Sequence, residues 1–396
     1  MLSEHKTALR MSNSLSTGQV ASLRRGLLRW FHKNARPLPW RTTRDPYRVW
    51  LSEIMLQQTQ VDAVIPYYRR FIRTFPNVRA LAKAPPEKVL AAWSGLGYYR
   101  RARDLHRAAQ ALVREHNGCF PRDWKSVRSL PGVGDYTARA ILSIAFAQPY
   151  TVLDGNVARV MSRVLALRGN IHQAEFRRAI EHRANELLPR RHPGDFNQAL
   201  MEIGQTICRP RQPRCPECPL QHYCRAGRLG QAESFPAPAS RRPPETRNLA
   251  IGVVCRGGRV LLVKGLDEGL MPDLWNFPSA FGPSESQAWA SLRHRLAALT
   301  IGPFESSPAI AELRHHITYR SIYARIYRVN AARFSFRRRL RRQLASETSH
   351  GHGEPLRWFT SDELRHGALS QLARKVTRTL LALPVPASSS LLVHRR

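Results

Sequence analysis

Apolar residues recur every three to four positions along the first part of the chain, up to about residue 225. The pattern runs through SLRRGLLRWF, DPYRVWLSEIMLQQTQV, EKVLAAWSGL, ARDLHRAAQALV, YTARAILSIAF and NVARVMSRVLAL. That spacing predicts helices, and strand-like alternation is nearly absent. Asp45-Pro46 reads as a helix start, with Asp as N-cap and Pro in the first turn. Residues 21–226 are therefore expected to form an all-α domain, preceded by a polar, disordered stretch at 1–20. From Gly227 to Arg247, Pro, Ser, Ala and charge replace the apolar period, which reads as a linker. Two β-rich runs then flank Gly257-Gly258, a hairpin signal. LWNFPSAFG follows, then a helical stretch near Ser286–Leu299, the strand RSIYARIYRV, and a closing helix over SDELRHGALSQLARKVTRTLLAL. Residues 248–385 are expected to form a smaller α+β domain, followed by a basic tail at 386–396. There is no internal repeat.

Composition adds a partner. The 396 residues carry 63 Lys plus Arg against 28 Asp plus Glu, a formal charge of +35, mostly from arginine. Arginine's planar fork matches phosphate geometry, so nucleic acid is the expected partner. A solvated, arginine-rich surface accounts for part of the excess, and the basic run at 336–343 (FRRRLRRQ) reads first as an exposed loop. No segment has the ~18 consecutive apolar residues of a membrane span, and the N-terminus lacks a signal-peptide core, so a cytoplasmic protein is expected. Disulfides are rare there.

Four of the six cysteines fall within Cys208–Cys224, as C-x6-C-x2-C-x5-C. Cys208, Cys215, Cys218 and Cys224 could wrap one metal centre, and thiolates suit zinc or an iron–sulfur cluster. The spacing alone does not choose between them. Leu130-Pro131-Gly132-Val133-Gly134 is a tight turn entering a helix. Free N–H groups at that helix start favour an anion such as a DNA phosphate. Asp154 precedes the helix from Val157, with Asn156 as a second capping candidate, and a carboxylate at a helix start has its charged form favoured. Glu53 sits among apolar residues in VWLSEIML. On an amphipathic helix it would face solvent; turned inward, burial would raise its pKa and leave it a proton donor. Two acids pushed in opposite directions make an acid and an anion partner.

These pieces together resemble the MutY-type adenine DNA glycosylases of the endonuclease III, helix-hairpin-helix superfamily. The cysteine spacing resembles that family's [4Fe–4S] loop, LPGVGDYTARAIL its hairpin segment, and VLDGNVARV the stretch after it. The resemblance covers residues 30–225 in the same order. It implies that the four cysteines hold the cluster, which performs no base removal, and that Arg209, Arg211 and Arg214 ride on the loop it braces. SEIMLQQTQV resembles the signature in which Glu53 protonates adenine, and Asp154 would stabilise the sugar cation. Endonuclease III-type lyases carry a lysine two residues after the last glycine of the turn; Tyr136 stands there, which implies a glycosylase without lyase action. Tyr136 and Asn156 would support the sugar step. Trp40, Arg41 and Leu56 would line an adenine pocket, although Trp40 and Leu56 read equally as core. Glu202 would hydrogen-bond an adenine edge, Gln58 would wedge the gap left by the flipped base, and Thr59 would contact the lesion. Leu96 and Tyr98, in GLGYY, would probe the opposite strand.

The second domain resembles the MutT-like, Nudix-fold domain of the same family, which recognises 8-oxoguanine. The stretch SQAWASLRHRLAALT, where a Nudix hydrolase needs its glutamate-rich metal box, contains no carboxylate, so pyrophosphate hydrolysis is not expected. The family's lesion-reading Phe-Ser-His is here Ile317-Thr318-Tyr319, with Thr318 keeping the hydroxyl. A monomer acting on duplex DNA with adenine opposite 8-oxoguanine or guanine is expected. An oxidised-pyrimidine lyase, a non-catalytic cluster-bearing DNA-binding protein and a fused Nudix hydrolase are the alternatives.

Overall fold

The computed structural model describes residues 15–237, 243–267, 270–299, 305–317, 319–330 and 356–382. The chain divides into two compact units: residues 1–83 with 104–241, and residues 84–103 with 242–396. The boundary at 241–242 falls within the stretch 227–247 read as a linker, and the segment 84–103 groups with the C-terminal unit. Thr318, the run 336–343 and the tail 386–396 lie outside the described residues.

Helices in chain order are α1 (Thr17–Asn34), α2 (Pro46–Leu56), α3 (Val61–Thr74), α4 (Val78–Lys83), α5 (Pro86–Trp93) and α6 (Arg100–His116). They continue as α7 (Trp124–Ser129), α8 (Asp135–Phe146), α9 (Gly155–Leu165), α10 (Ala174–Leu187), α11 (Pro193–Thr206) and α12 (Arg225–Arg228). α1 starts inside the stretch expected to be disordered, because Ser16 and Gln19 form a capping box around its first turn. Asp45 caps α2 as anticipated, accepting from Tyr47 N at 3.0 Å, with Pro46 in the first turn. Leu23, Leu27 and Phe31, one turn apart on α1, pack against Val157, Val160 and Met161 of α9 and Phe196, Ala199 and Leu200 of α11. The expected linker is ordered at its start: Phe235 is buried, and Arg163 Nε donates to its carbonyl at 3.0 Å.

The second unit contains β1 (Glu245–Arg256), β2 (Arg259–Leu266), β3 (Leu270–Asn276), β4 (Ser279–Gly282), β5 (Glu305–Ile317), β6 (Arg320–Asn330) and β7 (Leu356–Phe359). The strand order is β3-β2-β1-β6-β5, with β4 on β1 and β7 on β2; β1 and β6 run parallel and the other strand pairs antiparallel. Gly257 and Gly258 both take positive φ and close the β1–β2 hairpin. β1 is buried on both faces. Leu249, Ile251 and Val253 pack with Leu372 and Val376, while Ala250 and Val254 pack with Leu292 and Leu296. The sheet therefore lies between α13 (Glu285–Leu299) on one side and α15 (Gln371–Ala382) on the other. The closing helix is not continuous: α14 (Ser361–His366) stops at Gly367, and α15 restarts after Ser370 accepts from Ala373 N. A Cβ at Gly367 would lie 2.7 Å from Glu363 O, so the break needs glycine. Among the described residues no helix is long and apolar enough to cross a membrane.

Leu292 is fully buried on α13. Leu292→Ala is expected to destabilise the sheet unit by about 2–5 kcal/mol, read as an earlier denaturant transition of that unit with the helical unit's transition unchanged.

Candidate active site

Glu53 lies on α2 and is buried, 6% exposed, so the inward alternative holds. Apolar residues crowd its helix on most sides: Val49, Trp50, Leu51, Ile54 and Met55 are all buried. Tyr136, in the first turn of α8, donates its hydroxyl to Glu53 Oε2 at 2.8 Å. Burial pushes the Glu53 carboxyl up to about 7. The Tyr136 hydrogen bond pulls it down, the Asp154 charge pushes it up again, and Arg41 pulls it down. Burial and Glu53 together hold the Tyr136 phenol well above its ordinary value.

Asp154 is the N-cap of α9. Its Oδ1 accepts from Val157 N at 2.7 Å and its Oδ2 from Asn156 Nδ2 at 2.8 Å. Both oxygens are thus oriented by the first turn of the helix. Asn156 Oδ1 in turn accepts from Arg159 Nη2 at 3.0 Å, and Arg159 also donates to the carbonyls of Gly204 and Cys208, at 2.8 and 2.9 Å. A relay of hydrogen bonds therefore joins the carboxylate to the start of the cysteine loop.

Glu202, on α11, is 1% exposed, and each of its oxygens accepts from arginine. Arg36 reaches Oε1 through Nε at 2.6 Å and Oε2 through Nη2 at 2.8 Å; Arg41 reaches Oε2 through Nη2 at 2.7 Å. Burial alone would raise Glu202, but the arginine hydrogen bonds and charges outweigh it and hold it at about 2. Arg41 also donates to Arg36 O at 3.1 Å, while its Nε is buried without a partner. An unpaired buried donor costs about 1–3 kcal/mol. Trp40 is buried, edge-on to Tyr68 at 5.3 Å, and Leu56 is half-buried at the end of α2. Gln58 is exposed with φ +55, and Thr59 N donates to Leu56 O at 3.2 Å.

Gly132 takes φ +73, and a Cβ there would lie 2.5 Å from Asp104 Cβ, so the turn admits glycine only. Val133 is buried, and Gly134 caps α8 with no side-chain hydrogen bond. The first amides of α8 therefore carry no side-chain cap from Gly134, as an anion site requires. In the second unit, Leu96 is buried while Tyr98 is 46% exposed.

Cys208, Cys215, Cys218 and Cys224 line one cavity of about 130 Å³, about ten times the space one water needs. Among the described residues no three His, Cys, Asp or Glu side chains approach closely enough to hold a single metal ion. Four thiols around a space of this size fit a thiolate-held metal centre, either zinc or an iron–sulfur cluster. Arg163, 2% exposed, donates to Cys208 Sγ at 3.4 Å and to the carbonyls of Arg209 and Pro210 at 2.7 and 2.9 Å. The side chains of Arg209, Arg211 and Arg214 are exposed on this loop.

Arg36, Arg159 and Arg163 escaped the sequence reading. Arg159 and Arg163 sit three and seven residues beyond Asn156 on one helix, a spacing that places them on a shared face. Their charge sign concealed them among 63 basic residues.

Removing the Tyr136 hydroxyl takes away a bond that lowers the Glu53 pKa. The Glu53 carboxyl of the native chain is expected to lose its proton as pH rises through about 7. In Tyr136→Phe that titration moves to higher pH, checked by following the Glu53 carboxyl infrared band across pH. Gly132→Val is expected to destabilise the helical unit by about 1–3 kcal/mol, read as an earlier denaturant transition.

Residues 51–186 match the HhH-GPD superfamily of base excision DNA repair proteins. The chain is 36% identical to an adenine DNA glycosylase of Rattus norvegicus over 91% of its own length and 78% of the relative's. The adenine DNA glycosylase of Homo sapiens is 33% identical, over 91% and 74%. Among solved structures, a thermostable thymine-DNA glycosylase shares 29% identity, covering 53% of this chain and 97% of its own, with a TM-score of 0.49. The chain belongs to the adenine DNA glycosylase family of the HhH-GPD superfamily and is a DNA N-glycosylase.

Proposed function

We propose that this enzyme removes adenine mispaired with 8-oxoguanine or guanine in duplex DNA, by hydrolysis and without cutting the strand. The observation that carries the reading is the pairing of two differently held carboxyls. Glu53 is buried and keeps its proton up to about pH 7, while both oxygens of Asp154 accept hydrogen bonds at a helix start.

Adenine must leave the base stack before its glycosidic bond can be reached. Gln58 wedges the gap, the Gly132-Val133-Gly134 turn and the start of α8 hold a phosphate, and Thr59 and Tyr98 contact the lesion-bearing strand. Glu53 protonates the flipped adenine at N7, turning it into a neutral leaving group. Charge builds on the sugar as the bond to C1′ breaks, and the Asp154 carboxylate stabilises it. Asn156 fixes that carboxylate by its 2.8 Å hydrogen bond. Water adds at C1′ and an abasic site remains. Arg36 and Arg41 saturate Glu202, so in the free enzyme Glu202 holds Arg41 beside the base pocket. The adenine-edge contact expected of Glu202 forms only if an arginine yields its place.

Cys208, Cys215, Cys218 and Cys224 hold a [4Fe–4S] cluster, which braces the basic loop against phosphates and takes no part in base removal. The sheet unit reads 8-oxoguanine. Its helix at Glu285–Leu299 carries no carboxylate beyond Glu285, and this supports recognition rather than Nudix hydrolysis.

Single-turnover assay on an A:8-oxoguanine duplex tests the reading. Strand breaks are expected only after alkali, and Glu53→Gln is expected to lower the rate by at least about 100-fold. Breaks without alkali would point to a lyase, and tight binding with no base release to a non-catalytic protein. Iron and acid-labile sulfide in equal amounts, with loss of the brown chromophore and of DNA binding in Cys218→Ser, are expected for the cluster.

A further inference from the structure

The loop that carries Tyr98 is anchored through Ser94 to Leu369 and to Arg374 of α15. Tyr98 is a non-glycine residue at φ +48, between Gly95 at φ +108 and Gly97 at φ +74. Such a conformation is unfavourable for tyrosine and persists only where the surroundings over-determine it. The loop supplies part of that constraint itself. Trp93 Nε1 and Arg101 Nη2 both donate to Gly97 O at 3.2 Å, and Gly95 N donates to Tyr99 Oη at 3.0 Å. The Arg101 guanidinium lies 5.4 Å from the Tyr98 ring centroid.

The remaining constraint arrives from 275 residues away. Ser94 is buried, and its hydroxyl donates to Leu369 O at 2.7 Å. The same oxygen accepts from Arg374 Nε at 2.6 Å. Arg374 also donates to Arg365 O at 3.1 Å and Gly367 O at 2.9 Å, so its guanidinium spans the break between α14 and α15. Leu369 bridges Trp275 of β3, with Trp275 N donating to Ala368 O at 3.0 Å and Ser370 N to Trp275 O at 3.2 Å. A continuous path of short hydrogen bonds thus runs from the sheet through Leu369 to Ser94, next to Gly95.

We propose that Ser94 and Arg374 form a clasp through which the sheet unit sets the pose of Tyr98, making both of them positioning residues for reading the strand opposite the adenine. The inference rests on the proposed function, in which Tyr98 touches that strand. The clasp explains why residues 84–103 belong with the sheet unit although their sequence continues the helical period. It also gives the break at Gly367 a use: an unbroken helix through 361–382 would leave Leu369 without the strand-like bridge that carries Ser94.

The test uses the full chain and two duplexes, adenine opposite 8-oxoguanine and adenine opposite guanine. Binding is measured in a Glu53→Gln background, and single-turnover rates at saturating enzyme in the native background. Ser94→Ala and Arg374→Met are each expected to weaken binding of the 8-oxoguanine duplex by about tenfold, with the saturated rate within about twofold of native. Ser94→Thr, which keeps the hydroxyl, is expected to bind like the native chain. Tyr98→Ala is expected to lose affinity, and Ser94→Ala added to it to lose no more, since the two act through one contact. Additive losses in that pair, native-like binding by Ser94→Ala, or a saturated rate that falls with affinity would overturn the clasp. The binding cycle needs no turnover. Absence of adenine release by the native chain would therefore sink the functional reading while the coupling of Ser94 to Tyr98 was still measured.

Discussion

The chemistry of the helical unit depends on one competition, between the desolvation of Glu53 and the hydrogen bond it accepts from Tyr136. Burial disfavours the carboxylate, and the nearby Asp154 charge acts in the same direction. A neutral phenol donor at 2.8 Å recovers part of that loss, and Arg41 recovers a little more. The balance falls at about 7, against an ordinary 4.5. The folded chain therefore holds this proton more tightly than the unfolded one. The associated stability is complete below about pH 4.5 and is lost as pH rises through 7, on the order of 3 kcal/mol for a shift of this size. The proposed role of Glu53 accounts for that loss, since a proton donor near neutral pH has to be placed where its ionised form is disfavoured.

Asp154 is handled in the opposite way. Its oxygens face an amide and an Asn156 side chain at the positive end of α9, and neither oxygen is left to apolar surroundings alone. The helix that caps onto Asp154 also carries Arg159 and Arg163, and both reach the chain around Cys208. One helix thus orients the carboxylate at its start and ties down the cysteine loop further along. Rigidity of that loop matters for the carboxylate, since Arg159 is shared between Asn156 and the Cys208 carbonyl. A loosened loop would free Arg159 and then the amide that aims Asp154.

Elements with strong periods were legible in the sequence: the amphipathic helices, the Asp45-Pro46 start, and the Gly257-Gly258 hairpin. Each of these is a local signal, decided within a few residues by capping or by left-handed backbone. What escaped depends on partners distant in sequence. Helix α1 begins at Thr17 because Ser16 and Gln19 cap it, a signal hidden in a polar stretch. The closing helix breaks because Leu369 pairs with Trp275, nearly a hundred residues earlier. Glu53 and Asp154 were nameable from motif, but not whether Glu53 turned inward. Glu202 was nameable too, but not that Arg36 and Arg41 would occupy both of its oxygens. Long arginines declare neither their reach nor their partner, and a chain with 63 basic residues offers too many candidates.

Under the proposed function, Tyr136 stands where a lyase would carry its amine. The position two residues past the glycine turn lies in the first turn of α8, facing Glu53. An amine there would be free to add to C1′ and form a Schiff base, the route to strand cleavage. A phenol held well above its ordinary pKa has no comparable nucleophilicity at neutral pH, and its proton is directed to Glu53 at 2.8 Å, with Met201 Sδ as a second acceptor at 3.3 Å. What Tyr136 supplies instead is a donor that keeps the Glu53 proton exchangeable near pH 7, where burial alone would fix it more firmly. In the proposed mechanism the same residue would thus remove a nucleophile and tune the acid, both favouring hydrolysis of the glycosidic bond over lyase chemistry.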